Sequence, residues 1–336
     1  MTETSDPDST PPTEVSEGES TLTVIIAFVA NALIAIAKTV AALLTGSASM
    51  VAEAAHSWAD TGNEIFLLIA EKRGAKPRDQ NHPRGYGRET YVWSMFAAVG
   101  LFTAGAVVSV LHGVQQIGAT EESPDYLLNY AVLAVAFVLE GTSFRQALKQ
   151  ARGGAARFEL HPLTFISQTS NTTLRAVFLE DFAALIGLIL AAIAVALHEI
   201  TGAAVWDALG SIAVGLLLAV VAIFLINRNR EFLVGQSASP TLRAKTLASL
   251  LEHPEIERIT YLHLEFVGPM KYFVVAAVDL VGNDDESHLA VRLRRLESEI
   301  EQHDAIEDIV LTLSTPSEPS LTLPGSSPSD RGSDGS

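Results

Sequence analysis

Five polar side chains share one stripe of a segment otherwise apolar enough to enter a membrane. Residues 47–70 read SASMVAEAAHSWADTGNEIFLLIA, with Glu53, His56, Asp60, Asn63 and Glu64 at intervals of three and four. A helical residue turns about 100°, so all five fall within about 100° of one another on a helix. Asp60 lies about 12 residues into this span, roughly 18 Å by helical rise and so near a bilayer midplane. An ionisable group at that depth costs on the order of 3 kcal/mol unless paired, and such groups mark ion pathways. Glu180 and Asp181 interrupt a second apolar run, TLRAVFLEDFAALIGLILAAIAVALH. Snorkelling to the interface is the bland alternative for this pair, but carboxylates are too short to reach far. The economical reading is that the two segments face each other and share a cation. One imidazole, His56, with the carboxylates of Asp60, Asp181 and Glu180 makes a hard-to-borderline, roughly four-coordinate site. That donor set suits Zn2+ and tolerates Mn2+, Fe2+ or Co2+.

The elements that must position these groups are membrane spans. The chain has 336 residues, 48% of them hydrophobic and only 18% charged, against about 25% charged in a soluble domain. A span takes about 20 apolar residues, and six segments qualify, near 22–44, 49–70, 92–115, 126–147, 175–198 and 205–227. Lys72, Arg73, Lys76, Arg78, Arg84 and Arg88 follow the second span. Lys149, Arg152 and Arg157 follow the fourth, and Arg228 and Arg230 follow the sixth. The loops TGSA, GATEESPD and HEITG hold no Lys or Arg. The asymmetry places both termini in the cytoplasm. The plasma membrane is the expected location, with the lipid bilayer as solvent for residues 22–230.

From 240 to 314 the sequence reads as soluble, in the order helix, strand, strand, helix, strand. TLRAKTLASLLEH and ESHLAVRLRRLESEIEQHD are the helices; ERITYLHLEFVG, KYFVVAAVDLVG and IEDIVLTLS are the strands. This predicts a small cytoplasmic α+β domain, ferredoxin-like, with helices on one sheet face. At roughly 75 residues it gains from oligomerisation. The stretches 1–21 and 315–336 are rich in Ser, Thr, Pro and acids and read as disordered tails.

Several functions are excluded. The net charge is −17 with no basic stripe, so no nucleic-acid partner is expected. There is no cysteine, which removes disulfides and thiolate metal sites and counts against Cu(I). Neither HExxH nor GxSxG nor another nucleophile-plus-base arrangement occurs, so the chain is not expected to be an enzyme or to need a cofactor. Among the remaining polar groups, Asn31 reads as an interhelical hydrogen bonder and Lys38 as a snorkelling lysine. Glu140 reads as a proton relay or structural partner, and Asp207 as the cap of its own helix. His82 belongs to a loop that orders the cytoplasmic mouth. His253, His263, His288 and His303 read as surface residues.

The run TGSASMVAEAAHSWAD, the loop HPRGYGRE, the LED at 179–181 and DALGSIAVG at 207–215 together resemble the cation diffusion facilitators, zinc transporter 9-like branch. The resemblance extends over about residues 22–314. It implies proton-coupled efflux of a divalent metal, Zn2+ foremost, by a homodimer through alternating access. It also implies a transport site built from HxxxD on each of the second and fifth spans. His56 and Asp60 match the first motif. On the fifth span Asp181 matches the aspartate, but Val177 stands at the histidine position. The remaining ligand is then Glu180, Asn63 or water, and Glu180 requires a locally rotated or distorted helix. The rival reading is a non-transporting, membrane-anchored metal sensor or interaction protein.

Overall fold

The computed structural model describes residues 17–117, 125–158 and 160–323; the acidic stretch 1–16 lies outside them. Helix α1 (Glu17–Thr45) is followed closely by α2 (Ala48–Gly74). A long apolar helix follows from Glu89 to Gln116 as α3 (Glu89–Gly100), a π-helical segment (Leu101–Val107) and α4 (Val108–Gln116). Next come α5 (Tyr126–Arg157), the short α6 (Pro162–Gln168), α7 (Thr172–Thr201) and α8 (Val205–Val234). The Glu89–Gln116 helix, α5, α7 and α8 are each long and apolar enough to cross a bilayer. Helix α2 is as long, but its polar stripe lowers its hydropathy. Its 27 residues rise about 40 Å, more than the roughly 30 Å of a hydrocarbon core.

Small residues let these helices approach. Ala52, Ala59, Ala98, Ala106, Ala176 and Ala183 are buried with Leu101, Val214 and Leu218 in one interhelical cluster, as membrane packing without a hydrophobic driving force requires. The start of α2 is fixed from another helix. Asp207 of α8, 1% exposed, accepts hydrogen bonds from the Ala48 and Ser49 backbone amides and from the Ser47 and Ser49 hydroxyls. The expectation that it caps its own helix is corrected: α8 has no side-chain cap, and the carboxylate instead satisfies the orphan donors of α2.

Lys38 does not snorkel either. It is fully buried and donates to Glu53 Oε2 at 2.9 Å, joining α1 to α2. The other Glu53 oxygen lies where a side chain on α7 would stand; a Cβ on Gly187 would come within 2.7 Å of Oε1. Glycine is thus required there to admit the ion pair. Removing one partner of such a pair is expected to cost about 3–5 kcal/mol. Lys38→Met should therefore lower the melting temperature of the detergent-solubilised protein sharply. Lys38→Met combined with Glu53→Leu should recover most of the loss.

Helix α9 (Pro240–Leu251), β1 (Ile256–Gly268), β2 (Lys271–Leu280), α10 (Glu286–Ile300) and β3 (Ile306–Leu313) form the C-terminal domain in the expected order. The sheet order is β1-β2-β3, with β1 antiparallel to β2 and β2 parallel to β3. Alternation sends Leu264, Val274 and Ile309 to one face in register, beside Leu262, Ala276 and Leu311. Leu247 of α9 and Leu296 of α10 close that face into a core. Residues 315–323 are not a free tail: the Leu321 amide donates to the Ile259 carbonyl at 2.7 Å, and Leu321 and Leu323 pack on the core. Residues 324–336 lie outside the described residues.

An aromatic chain ties this domain to the membrane helices. Tyr91 of α3 stacks on Phe232 of α8 at 5.1 Å, Phe232 meets Phe266 at 5.2 Å, and Phe266 meets Tyr272 at 4.9 Å. Beside it, the HPRGYGRE loop presses on the β1–β2 turn. A Cβ on Gly87 would lie 2.7 Å from both Gly268 Cα and the Val267 carbonyl oxygen, so only glycine allows the two backbones to touch.

Candidate metal-transport site

The polar stripe of α2 faces a cavity of about 70 Å³ between α1, α2, α5 and α7. Five carboxylates line it: Asp60 and Glu64 from α2, Glu140 from α5, and Glu180 and Asp181 from α7. The sequence marked all five, and the fold brings them to one space. Asp60 retains 17% exposure there, whereas His56 is 1% exposed. His56 stands one turn before Asp60 on α2 and does not line the cavity. It reaches the site through Asp60, with Nδ1 3.4 Å from Oδ1.

Glu180 enters the cavity from an undistorted helix. Adjacent residues on α7 point about 100° apart, and the cavity lies between two neighbours of α7, so both side chains reach it. Glu180 turns toward α2, where it accepts a hydrogen bond from Asn63 Nδ2. Asp181 turns toward α5, where its Oδ2 accepts from Ser143 Oγ at 2.7 Å. Both side chains thus line the cavity from a continuous α-helix. Val177 also lines the cavity and offers no ligand. Asn31 of α1 completes the wall, donating to Glu64 Oε1 at 2.5 Å.

Ser57 and Ser143 are polar cavity residues that the sequence reading missed, and Ser143 has a partner across the cavity. Its signal was present: it follows Glu140 by three residues, one turn along the same face of α5. A serine toward the end of an apolar helix is nonetheless ordinary, and only the packing of α5 on α7 gives it a partner.

Several donors around the cavity have no protein hydrogen-bond partner. They are both nitrogens of His56, the Ser57 hydroxyl, Asp60 Oδ1, Asn63 Oδ1 and Glu64 Oε2. Buried polar atoms ordinarily have partners, and this set of imidazole, hydroxyl, amide and carboxylate donors is chemically suited to a divalent cation. Among the described residues, no three His, Asp or Glu side chains are yet gathered tightly enough to hold an ion.

On the side of the C-terminal domain a second space of about 850 Å³ opens between it and the helix ends. Glu71 and Lys76 line it together with Arg84, Tyr86, Lys271 and Glu307. The HPRGYGRE loop therefore does shape the mouth, as its charges implied. His82 only braces that loop, 3.4 Å from Asp79 and stacked near Tyr86. In the C-terminal domain His253 and His288 pair with Glu299 and Asp285, and His303 accepts from the Ala305 amide.

Long apolar helices closing on a carboxylate-lined cavity, with a small α+β domain beneath, define a cation carrier of the membrane. Residues 24–234 match the cation efflux transmembrane domain, and the chain belongs to the cation efflux family. It is 34% identical over 233 residues to metal tolerance protein C4 of Arabidopsis thaliana, covering 69% of this chain and 51% of that one. It is 36% identical over 262 residues to the mitochondrial proton-coupled zinc antiporter SLC30A9 of Xenopus laevis, covering 77% and 46% respectively. With the human SLC30A9 the identity is 34% over 260 residues, at 77% and 46% coverage. The chain spans about half the length of these relatives.

Proposed function

We propose that this protein exports a divalent metal ion, Zn2+ foremost, in exchange for protons. The observation that carries the reading is the convergence of Asp60, Glu180 and Asp181 on one cavity with His56 3.4 Å behind Asp60. Loading closes these groups on the ion. Asn63 releases Glu180, Ser143 releases Asp181, and His56 supplies the nitrogen donor that favours Zn2+ over harder ions. Ligands must be deprotonated to bind metal, so metal uptake expels protons and metal release takes them back. Five carboxylates are more than one divalent ion neutralises, which leaves acids to carry the returning protons. Supporting this reading, the SLC30A9 relatives are named proton-coupled zinc antiporters.

The exporter is a carrier and not a catalyst, and we place it as a homodimer of six-span protomers. We assign it to the plasma membrane with both termini cytoplasmic. The orientation rests on the Lys and Arg distribution; a mitochondrial bilayer, as in the names of the SLC30A9 relatives, is the second reading for location. A metal-by-metal uptake assay in proteoliposomes under an imposed pH gradient tests the function. Zn2+ should accumulate ahead of Mn2+, Fe2+ and Co2+. Absence of uptake for every metal would favour the sensor reading.

A further inference from the structure

The exposed face of α5 changes character along its length. Leu127, Ala131 and Val138 are exposed, and so are Arg145, Lys149 and Arg152. At about 100° per residue, all of them fall within about 40° of Val138 and make one stripe. The face that packs on α6 and α7 through Ala147, Ala151 and Ala155 lies roughly 130° round the helix in one direction. Ser143, Gln146 and Gln150 line the large space beside the C-terminal domain and lie about as far round in the other. The stripe therefore faces outward, apolar over its first half and basic over its second.

Among the described residues, none of these three cations has an ion pair, hydrogen bond or ring contact. Most other arginines and lysines do. Arg73, Arg78, Arg88 and Arg292 pair with acids, and Arg84 and Lys245 lie over aromatic rings. The Lys and Arg asymmetry accounts for cations at this end of the helix. It does not account for three of them aligned and unpaired on one outward stripe, in a chain of net charge −17.

We propose that Arg145, Lys149 and Arg152 hold the headgroup of an anionic phospholipid against the end of α5. Of the four long apolar helices, α5 has the smallest buried share, so lipid is its neighbour over most of its length. Tyr126 opens the helix and suits a membrane interface. Measured from there by helical rise, Arg145 lies at roughly 28 Å, Lys149 at roughly 34 Å and Arg152 at roughly 39 Å. A hydrocarbon core is about 30 Å thick, with about 5–8 Å of headgroups on each side. Arg145 thus stands at the edge of the hydrocarbon, and the other two stand in or just beyond the headgroup layer. The guanidinium forks can pair bidentately with phosphate oxygens, and the ammonium adds a point charge. No acid stands on the stripe, so a net negative headgroup is preferred over a zwitterionic one. The lipid anchors a helix whose other side carries Glu140 and Ser143 into the carboxylate cavity.

The test needs no metal and is independent of the export reading. Full-length protein in detergent is titrated with phosphatidylglycerol or phosphatidylcholine of identical chains, and bound lipid is counted by native mass spectrometry. Phosphatidylglycerol should bind more tightly. Arg145→Gln, Lys149→Gln and Arg152→Gln together should weaken its binding at least tenfold, since each basic residue near a membrane surface contributes about fivefold. Lys72→Gln with Arg230→Gln, which removes two other exposed and unpaired cations, should change it less than about twofold. All five side chains are exposed, so the melting temperature should be unchanged in both variants. Excess inorganic phosphate should not displace the lipid. Equal binding of the two lipids would overturn the proposal and leave the acidic residues 1–16 or a second copy of the chain as the occupant. Unchanged binding in the triple variant, an equal loss in the control, or displacement by phosphate would overturn it as well.

Discussion

Replacing Asp60 or Asp181 by alanine is expected to reduce metal flux to the level of protein-free liposomes while leaving a folded, membrane-inserted protein. The two carboxylates approach the cavity from α2 and α7, so losing either removes the charge on one side of the ion. No other acid replaces it at the same place. Glu64, one turn from Asp60, is held by Asn31, and Glu140 lies on α5. Folding should survive because neither aspartate supports the scaffold. Asp181 is hydrogen-bonded to Ser143, whose hydroxyl can turn to another acceptor, and the contact of Asp60 with His56 is 3.4 Å. The interactions that fix α2, namely Lys38 with Glu53 and Asp207 with the helix start, are untouched. Flux assays paired with size-exclusion profiles check both halves. Normal flux in either variant would remove that residue from the site.

The second large effect concerns Glu180. Glu180→Gln keeps the side-chain volume and can still accept from Asn63 Nδ2, so the α2–α7 contact should persist. Only the charge and its capacity to bind a cation are lost. Even partners outside a metal's own ligands carry about 10–100-fold in affinity, so loss of a ligand should weaken Zn2+ binding by on the order of 100-fold or more. A titration of purified protein reads this directly. Val177→His in the Glu180→Gln background should restore part of the affinity, since position 177 lies one turn before Asp181 and faces the cavity. Equilibrium titration reads the affinity of that pair directly. Near-normal binding in Glu180→Gln would leave Asn63 or water as the remaining ligand.

How much was legible beforehand differs between the fold and the site. The α+β domain could be read strand by strand because period-two alternation and the break between ERITYLHLEFVG and KYFVVAAVDLVG specify it locally. The polar stripe of α2 could be read because residues three and four apart share a helical face whatever the helix packs on. Residues whose role depends on another helix were misread. Asp207 reads as a cap for the helix it begins, and only the packing of α8 on α2 turns it to the neighbour. Lys38 reads as a snorkelling lysine until Glu53 is placed opposite. That Glu180 and Asp181 both line one cavity follows from its position between two neighbours of α7, which has no trace in one segment's periodicity. The π-helical turn at 101–107 likewise has no local signal that separates it from ordinary helix.

The central claim is that metal and protons move in opposite directions through one carboxylate cavity. Purified protein reconstituted into vesicles with a pH-sensitive dye inside tests it most directly. Zn2+ is added outside without any pH gradient, and luminal pH and luminal metal are followed together. Metal accumulation should drive protons outward, raising the luminal pH, and Asp60→Ala should abolish both signals at once. Zn2+ entering with no change in luminal pH, or a pH change that persists in Asp60→Ala, would contradict the account.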